Sequence, residues 1–328
     1  MKRDRAFWFA AATLAFLALL PVYAALAAQP FYVTLFSRIM VFALAAVGLN
    51  LVLGFGGLVS FGHALYIGVG AYSVGILAHH GITNGWVQLV VALAMVALFA
   101  TVIGAVVVRT GGMTFIMITL AFAQMGFFLA VSLKQYGGDD GLTIDARSAM
   151  GLFDLANNTV LYYAIFASLL LILYLFHRFI NARFGLALRG IKANERRLAA
   201  LGYPTFRYKL VAYVISAQVC GLAGFWLANL TKFAAPSYMA WTVSGELIVI
   251  AVLGGMSSLF GPVIGALVFL LLEEVLSSWK PGIWPAAETL LGNHWLGLIG
   301  LFVFTLALFA RQGIFGYLAG KKDSAGGH

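Results

Sequence analysis

The chain has 328 residues, of which 62% are hydrophobic and only 9% are charged, and its formal net charge is +9 at pH 7. A soluble domain is roughly one quarter charged, so this composition excludes a water-soluble globular protein. No soluble basic domain carries the positive charge, so we expect no binding to nucleic acid. We predict an all-α membrane protein. Lipid offers backbone amides no partner outside a helix or a closed barrel, and barrel strands would alternate polar with apolar residues.

Apolar segments long enough to cross a bilayer recur along the whole chain. We predict a polytopic transmembrane helix bundle of about 8–10 spans, ten if every segment crosses, folded as a single domain over residues 1–328. The predicted spans cover residues 7–28, 34–53, 63–80, 87–108, 113–133, 160–176, 210–230, 237–253, 261–277 and 295–310.

The first span follows the basic stretch MKRDR and ends in small residues, a pattern that signal peptides also show. Its apolar run is longer than a signal peptide needs, although Pro21 interrupts it. We therefore expect an uncleaved first helix, with cleavage near Ala25, Ala27 or Ala28 as the alternative.

A glycine-rich break separates the second predicted span from the third, in GFGGLVSFGHALYIGVGAY at residues 54–72. Irregular backbone inside a membrane survives only where protein or a water-filled path surrounds it. The break therefore indicates a transport path, and tight packing between helices is the alternative. Since His63 lies at a helix start, a capping or packing role is its simpler interpretation.

Two polar loops predict the orientation of the bundle. The loop at 134–155 carries four Asp against one Lys and one Arg, whereas 177–209 carries eight Lys or Arg against one Glu. The basic loop should be cytoplasmic and the acidic loop should lie on the other side. With ten spans, both termini are cytoplasmic as well. The basic residues near the termini agree with that placement: Lys2, Arg3, Arg5, Arg311, Lys321 and Lys322.

Within the basic loop, residues 190–201 have the pattern of a short amphipathic helix that Gly202 ends as a C-terminal cap. A helix outside the membrane with a mixed polar and apolar face suits docking into a groove of another protein. Contact with anionic lipid headgroups is the alternative.

A related break returns in the C-terminal half, in LGGMSSLFGPVIGALVF at residues 253–269. Paired interruptions in two halves of a membrane chain point to an internal repeat that forms a transport path. Plain glycine turns or helix-packing faces are the alternative. The candidate residues of the path are Asn50, Gly54, Gly57, Ser60, Gly62, His63, Glu246, Gly254, Gly255, Ser258, Gly261, Pro262 and Gly265.

Glu246 is the acid that interrupts an apolar span most clearly. It should face a cavity or a partner if it lies deep, because a buried carboxylate is costly in lipid. It would instead be stabilised by the helix dipole if it lies just inside a helix start. The sequence contains no cluster of metal ligands, no nucleophilic triad and no phosphate-binding loop, since GYLAGKKD at 316–323 lacks the required spacing.

Three stretches of the sequence resemble one known family: GLNLVLGFGGLVSFGHALYIGVGAY, RFGLALRGIKANERRLAALGYPTFRYKLVAYVISAQVCGLAG and ELIVIAVLGGMSSLFGPVIGAL. They are similar to the signature stretches of the branched-chain amino acid ABC transporter permeases, specifically the Liv-type M subunit. They occur in the expected order and spacing, and the resemblance extends over nearly the whole chain.

The resemblance implies a permease subunit of an importer in the inner membrane of a bacterium, surrounded by the lipid bilayer. Its partners would be a second homologous permease, two cytoplasmic ATPase subunits and a periplasmic binding protein. ATP and Mg²⁺ would be bound by the ATPases, so this chain would be no enzyme and would bind no cofactor. The loop at 177–209 would couple the permease to the ATPases through Gly190, Asn194, Glu195, Arg196, Arg197, Ala200 and Gly202.

One residue departs from the general importer motif. Arg196 stands six residues before Gly202, where many ABC permeases carry a glutamate. Related permeases serve branched-chain amino acids, urea and short amides, or aromatic and dicarboxylic acids, and no residue here distinguishes these solutes. An ion-coupled secondary transporter is a further alternative, which the scarcity of deep acids disfavours.

Overall fold

The computed structural model describes residues 2–27, 29–151, 154–256, 258–278, 297, 300–302, 304–305 and 313–318. Most of these residues are helical, and the α-helices that bound the fold run in chain order as follows. They are α1 (Lys2–Leu26), α2 (Pro30–Asn50), α3 (His63–His79), α4 (Gly85–Val107), α5 (Gly112–Ser132), α6 (Asn158–Asn181), α7 (Arg183–Ala200), α8 (Thr205–Thr231), α9 (Trp241–Gly254), α10 (Gly261–Ser278) and α11 (Gly313–Leu318).

The predicted all-α membrane bundle is confirmed. In the part of the chain that the structure describes, six helical segments are long and apolar enough to cross a membrane, and α3 and α9 are shorter, with 17 and 14 residues. The helix of the eighth predicted span begins four residues after residue 237. A 3-10 turn occupies Pro236–Met239, and α9 begins only at Trp241, because Ala240 takes an extended conformation. The tenth predicted span and the C-terminal basic residues lie largely outside the described residues.

Helices α2, α3 and α8 form the buried centre of the bundle. α8 packs along α2, α3 and α4, whereas α4, α5 and α6 bury only a minor part of their surface. Glycine makes the close contact between α3 and α8 possible. A Cβ at Gly70 would strike the Gly221 carbonyl, and one at Gly224 would strike the Ile67 carbonyl. Small residues drive helix association in lipid, where no hydrophobic force acts between helices.

The acidic and basic loops lie at opposite ends of α8. At the α8 C-terminus, β2 (Phe233–Ala234) pairs antiparallel with β1 (Leu142–Thr143) of the acidic loop. Arg147 donates to the Asn229 carbonyl at 3.0 Å, and burial lowers the pKa of its guanidinium. At the other end, α7 leads directly into α8. The two loops therefore emerge on opposite sides of the bundle, and which side is cytoplasmic stays a prediction.

Candidate functional site

The first glycine-rich break begins with a π-helical turn, Leu51–Phe55, that continues α2. Such turns often occur at functional sites. Gly57 then takes a φ of +72°, which glycine adopts without strain. A side chain at Gly54 would strike the Asn50 side chain and the Met256 carbonyl. The chain therefore leaves α2 through a closely packed, irregular turn.

The second break lies directly against the first. α9 ends at Gly254, and Gly255 takes a φ of +111°. The Ser258 hydroxyl accepts a hydrogen bond of 2.8 Å from the Gly261 amide and so caps the start of α10. Asn50 Nδ2 donates to the Ser258 carbonyl at 2.9 Å. The two breaks that the sequence pairs as counterparts are thus in contact.

Glycines at the second break also let α9 and α10 approach each other closely. A Cβ at Gly254 would strike the Gly261 carbonyl, and a Cβ at Gly265 would strike the Ile250 carbonyl. Pro262 is the second residue of α10, where a helix needs no hydrogen-bonded amide. The small-residue packing that the sequence left open is therefore present here, beside the irregular backbone.

One acceptor at the contact between the breaks is unsatisfied. Asn50 Oδ1 is buried without a hydrogen-bond partner, and within the described part of the chain only Tyr72 Oη shares that condition. A buried polar atom left in this way costs about 1–3 kcal/mol. The contact between the two breaks therefore contains a side-chain carbonyl oxygen of Asn50 that accepts no hydrogen bond.

Ser60 and His63 lie in a closed hydrogen-bonded network between α3 and α8. The Ser216 hydroxyl donates to the Gly48 carbonyl at 2.6 Å, so it accepts from His63 Nε2 at 2.8 Å. His63 Nδ1 then accepts from the Ser60 hydroxyl at 2.8 Å, and Ser60 accepts from the Gly62 amide at 3.2 Å. Both Ser60 and His63 are 0% exposed. Their geometry favours the packing interpretation, and a role in the path stays a prediction.

The predicted amphipathic helix at 190–201 is wrong in its bounds. α7 begins at Arg183 and is broken at Asn194, whose φ and ψ are −161° and 98°. The Asn194 side chain accepts a 2.9 Å hydrogen bond from the Arg197 amide, so it caps a second short helical turn. Gly202 takes a φ of +86°, and the Tyr203 amide bonds the Leu198 carbonyl at 3.2 Å. Gly202 thus ends the helix, as predicted.

The segment from Asn194 to Gly202 is almost entirely exposed in this chain. Leu201 is 69% exposed, although it is a large apolar side chain. Gly190 lies behind this turn, where Leu198 folds back against it. The exposed residues include most of those that the resemblance assigns to ATPase coupling: Asn194, Glu195, Arg196, Arg197, Ala200 and Gly202.

Two lysines connect this exposed segment to the bundle. Lys192 Nζ donates to the Gly54 carbonyl at 2.6 Å, and its stem packs against Gly57. Lys209 Nζ of α8 lies 2.7 Å from Glu195 Oε1, and the Lys209 side chain is only 8% exposed. The first contact reaches the glycine break, and the second reaches the start of α8.

Three charged side chains lie together on α2, α9 and α10. Arg38 Nη2 is 3.5 Å from Glu273 Oε1, with the two side chains 46% and 23% exposed. Glu246 is exposed and lies within electrostatic range of both. Glu246 is the sixth residue of α9, so it lies beyond the first turn of this helix. The helix dipole stabilises an acid only within that first turn. Of the two interpretations of Glu246, the structure favours the one away from the helix start.

Arg38 lies well inside α2, whereas Glu246 and Glu273 each lie five residues, or about 7.5 Å, from one end of their helix. Arg38 is about 12 Å along α2 from Pro30 and about 18 Å from Asn50, at 1.5 Å per residue. A charge at the bilayer centre costs about 2.5–3.5 kcal/mol. The surface of α2, α9 and α10 that carries Arg38, Glu246 and Glu273 is called the charged face below. It is therefore a poor surface for lipid.

Four residues that the structure adds to the functional candidates were not predicted from the sequence: Arg38, Glu273, Lys192 and Lys209. A signal was present for Arg38, because it is a lone charge inside the predicted span at 34–53. The two lysines had no such signal, since both belong to a loop in which basic residues are common.

The chain matches the family model of the permease component of branched-chain amino acid transport systems over residues 31–319. The high-affinity branched-chain amino acid transport permease LivM of Escherichia coli K12 is 28% identical over 266 residues, which cover 74% of this chain. The chain spans 62% of the length of that relative. No solved structure shows significant similarity.

Two further relatives are more distant. The probable LivM of Methanocaldococcus jannaschii is 22% identical over 310 residues, covering 83% of this chain and 89% of the relative. LivH of Escherichia coli K12, a permease of the same kind of system, is 23% identical over 256 residues, covering 73% of this chain and 82% of LivH. The match to LivH shows that the similarity extends across more than one kind of permease subunit.

Proposed function

Because the chain belongs to the family of permease components of branched-chain amino acid transport systems, we propose that it is the membrane-spanning subunit of an ATP-driven importer. A second homologous permease completes the path for the solute. Two cytoplasmic ATPase subunits bind and hydrolyse ATP with Mg²⁺, and a periplasmic binding protein delivers the solute. The chain itself carries out no chemical step and binds no cofactor.

The observation that supports this proposal best is the exposed turn from Asn194 to Gly202. A capped turn outside the spanning helices, with Leu201 exposed among charged residues, offers both an apolar contact and charges to a partner protein. Lipid headgroups would also attract its basic residues, but an exposed glycine-ended turn that projects from two anchoring lysines suits a protein groove better.

In this proposal, closure of the ATPase dimer moves the Asn194–Gly202 turn. Lys192 transmits the motion to the Gly54 carbonyl, and Glu195 transmits it to α8 through Lys209. The basic loop is then cytoplasmic and the acidic loop periplasmic, in the inner membrane of a bacterium, with both termini on the cytoplasmic side. The glycine breaks act as the gate between the two permeases.

The proposed solutes are branched-chain amino acids or related small polar solutes. The names of the relatives support the first, because both LivM and LivH are named as branched-chain amino acid permeases. Urea and short amides, and aromatic or dicarboxylic acids, remain as alternatives.

The experiment that tests the proposal is co-purification of the chain with candidate ATPases, followed by reconstitution into vesicles. We expect ATPase subunits to be recovered and uptake to require ATP and a loaded binding protein. Glu195→Lys should reverse the charge at the Lys209 contact and reduce recovery of the ATPases. Arg183→Met, which removes a charge at the exposed start of α7, is the matched control. Uptake driven by an ion gradient without ATP would contradict the proposal and favour a secondary transporter.

A further inference from the structure

We infer that the charged face lines the solute path and that Glu246 binds the ammonium group of the solute. The inference rests on the proposed function and narrows its substrate class. It selects α-amino acids over dicarboxylic acids and over neutral urea or amides. It adds Arg38 and Glu273 to the path, and neither was among the path residues predicted from the sequence.

The charged face must be covered by something other than lipid. Arg38 and Glu246 are exposed in this chain, and both lie on apolar helices, Arg38 well inside α2 and Glu246 in the second turn of α9. Lipid is a poor neighbour for either charge, so the face must contact water or another protein. Ionisable groups inside a membrane mark solute pathways, and solute sites of transporters lie near the bilayer midplane.

The helix lengths place the charged face relative to the glycine breaks. Glu246 precedes Gly254 by eight residues and Glu273 follows Gly261 by twelve, which correspond to about 12 Å and about 18 Å along their helices. Arg38 is about 18 Å from Asn50, the residue that bonds the second break. All three charges therefore lie on the same side of the glycine breaks, about 12–18 Å from them along their helices. A solute that passes the charged face would next meet the two breaks.

Arg38, Glu246 and Glu273 together carry more negative than positive charge. Arg38 pairs with Glu273, so this pair is close to neutral. Among the described residues, the Glu246 carboxylate has no hydrogen bond and no ion pair, which leaves one negative charge available at the surface. An ammonium group supplies the missing cation, and the Arg38 guanidinium beside it can accept a carboxylate in exchange for Glu273. A dicarboxylate would meet two acids and one arginine and would be repelled.

A thiol-labelling experiment tests whether the charged face is wet. The single native cysteine, Cys220, is fully buried, so the unmodified chain provides a low background. We expect Glu246→Cys to react with a charged, water-soluble thiol reagent in the assembled complex and an excess of amino acid to slow that reaction. Val102→Cys, on the exposed face of α4, is the control and should stay unreactive. The inference would be overturned if Glu246→Cys were not labelled. It would also be overturned if the Glu246→Cys chain formed a cross-link to a second permease instead of reacting with the reagent.

Uptake by the reconstituted complex tests the ligand class. A charged hydrogen bond corresponds to at least about a tenfold preference, so Glu246→Gln should slow amino acid uptake by about tenfold or more. The exposed neighbour Thr242 provides the control. Thr242→Val leaves the charge of Glu246 in place and should keep uptake near the wild-type rate. Thr242→Val should also keep the basal ATPase rate of the complex.

The two proposals fail in different ways. If the complex imports a solute with ATP but Glu246→Gln has no effect, only this inference is wrong. If no ATPase associates with the wild-type chain, the proposed function is wrong, whatever the variants do.

Discussion

Replacing Lys192 by methionine tests the connection between the exposed turn and the glycine break. The substitution keeps most of the aliphatic stem that packs against Gly57 but removes the 2.6 Å hydrogen bond to the Gly54 carbonyl. A hydrogen bond to a charged group contributes about 1.5–3 kcal/mol, and the low end applies because this bond is only partly buried. About 1.5 kcal/mol corresponds to roughly tenfold in the equilibrium that the bond holds.

The assay is uptake per ATP hydrolysed in vesicles that contain the whole complex. We expect Lys192→Met to lower this ratio by up to about tenfold while ATP hydrolysis continues. Arg183→Met removes a positive charge from the same helix without a contact to the break, so its ratio should match the wild type. Equal ratios for both variants would refute the connection. A parallel loss of uptake and ATP hydrolysis in Lys192→Met would refute it as well, since it would indicate a structural defect.

Three other substitutions test the described contacts. Gly224→Ala should lower the thermal unfolding temperature, with a cost of about 1–3 kcal/mol from overpacking at the α3–α8 contact, whereas Gly111→Ala, which meets open space, should be neutral. His63→Leu should destabilise the chain by about 1–3 kcal/mol, because two buried serine hydroxyls lose their partner, and unchanged stability in detergent would contradict the network. Gly202→Ala forces a side chain into a φ of +86° and should cost about 1 kcal/mol, with weaker recovery of the ATPases, whereas Asn194→Ser should keep the cap and the recovery.

The spans could be predicted because lipid imposes a simple rule on sequence. A crossing helix needs about 20 apolar residues, so its existence follows from composition alone. The glycine breaks were also visible, since few other residues tolerate a φ of +72° or +111° at Gly57 and Gly255. The break in α7 was not predicted, because it depends on one hydrogen bond that the Asn194 side chain accepts from the Arg197 amide. Such a bond competes with the backbone hydrogen bonds of the helix.

Contacts between residues that are far apart in the sequence could not be predicted from the sequence pattern. Arg38 and Glu273 lie on α2 and α10, and nothing in either helix reveals that they meet. The same holds for Asn50 and Ser258, although their breaks were paired as counterparts. His63 shows the opposite problem. A polar residue beside a glycine break suggests a path, but His63 is satisfied within the core by the nearby Ser60 and by the distant Ser216.

The anchoring of α8 at both of its ends makes this helix a lever. Its 27 residues extend about 40 Å, with Lys209 bound to Glu195 near one end and Asn229 bound to Ser148 and Arg147 near the other. A tilt of about 10° around its midpoint would displace each end by about 3.5 Å in opposite directions. Movement of α7 on one side of the bundle would therefore displace the acidic loop on the other side, without any change in the conformation of α8.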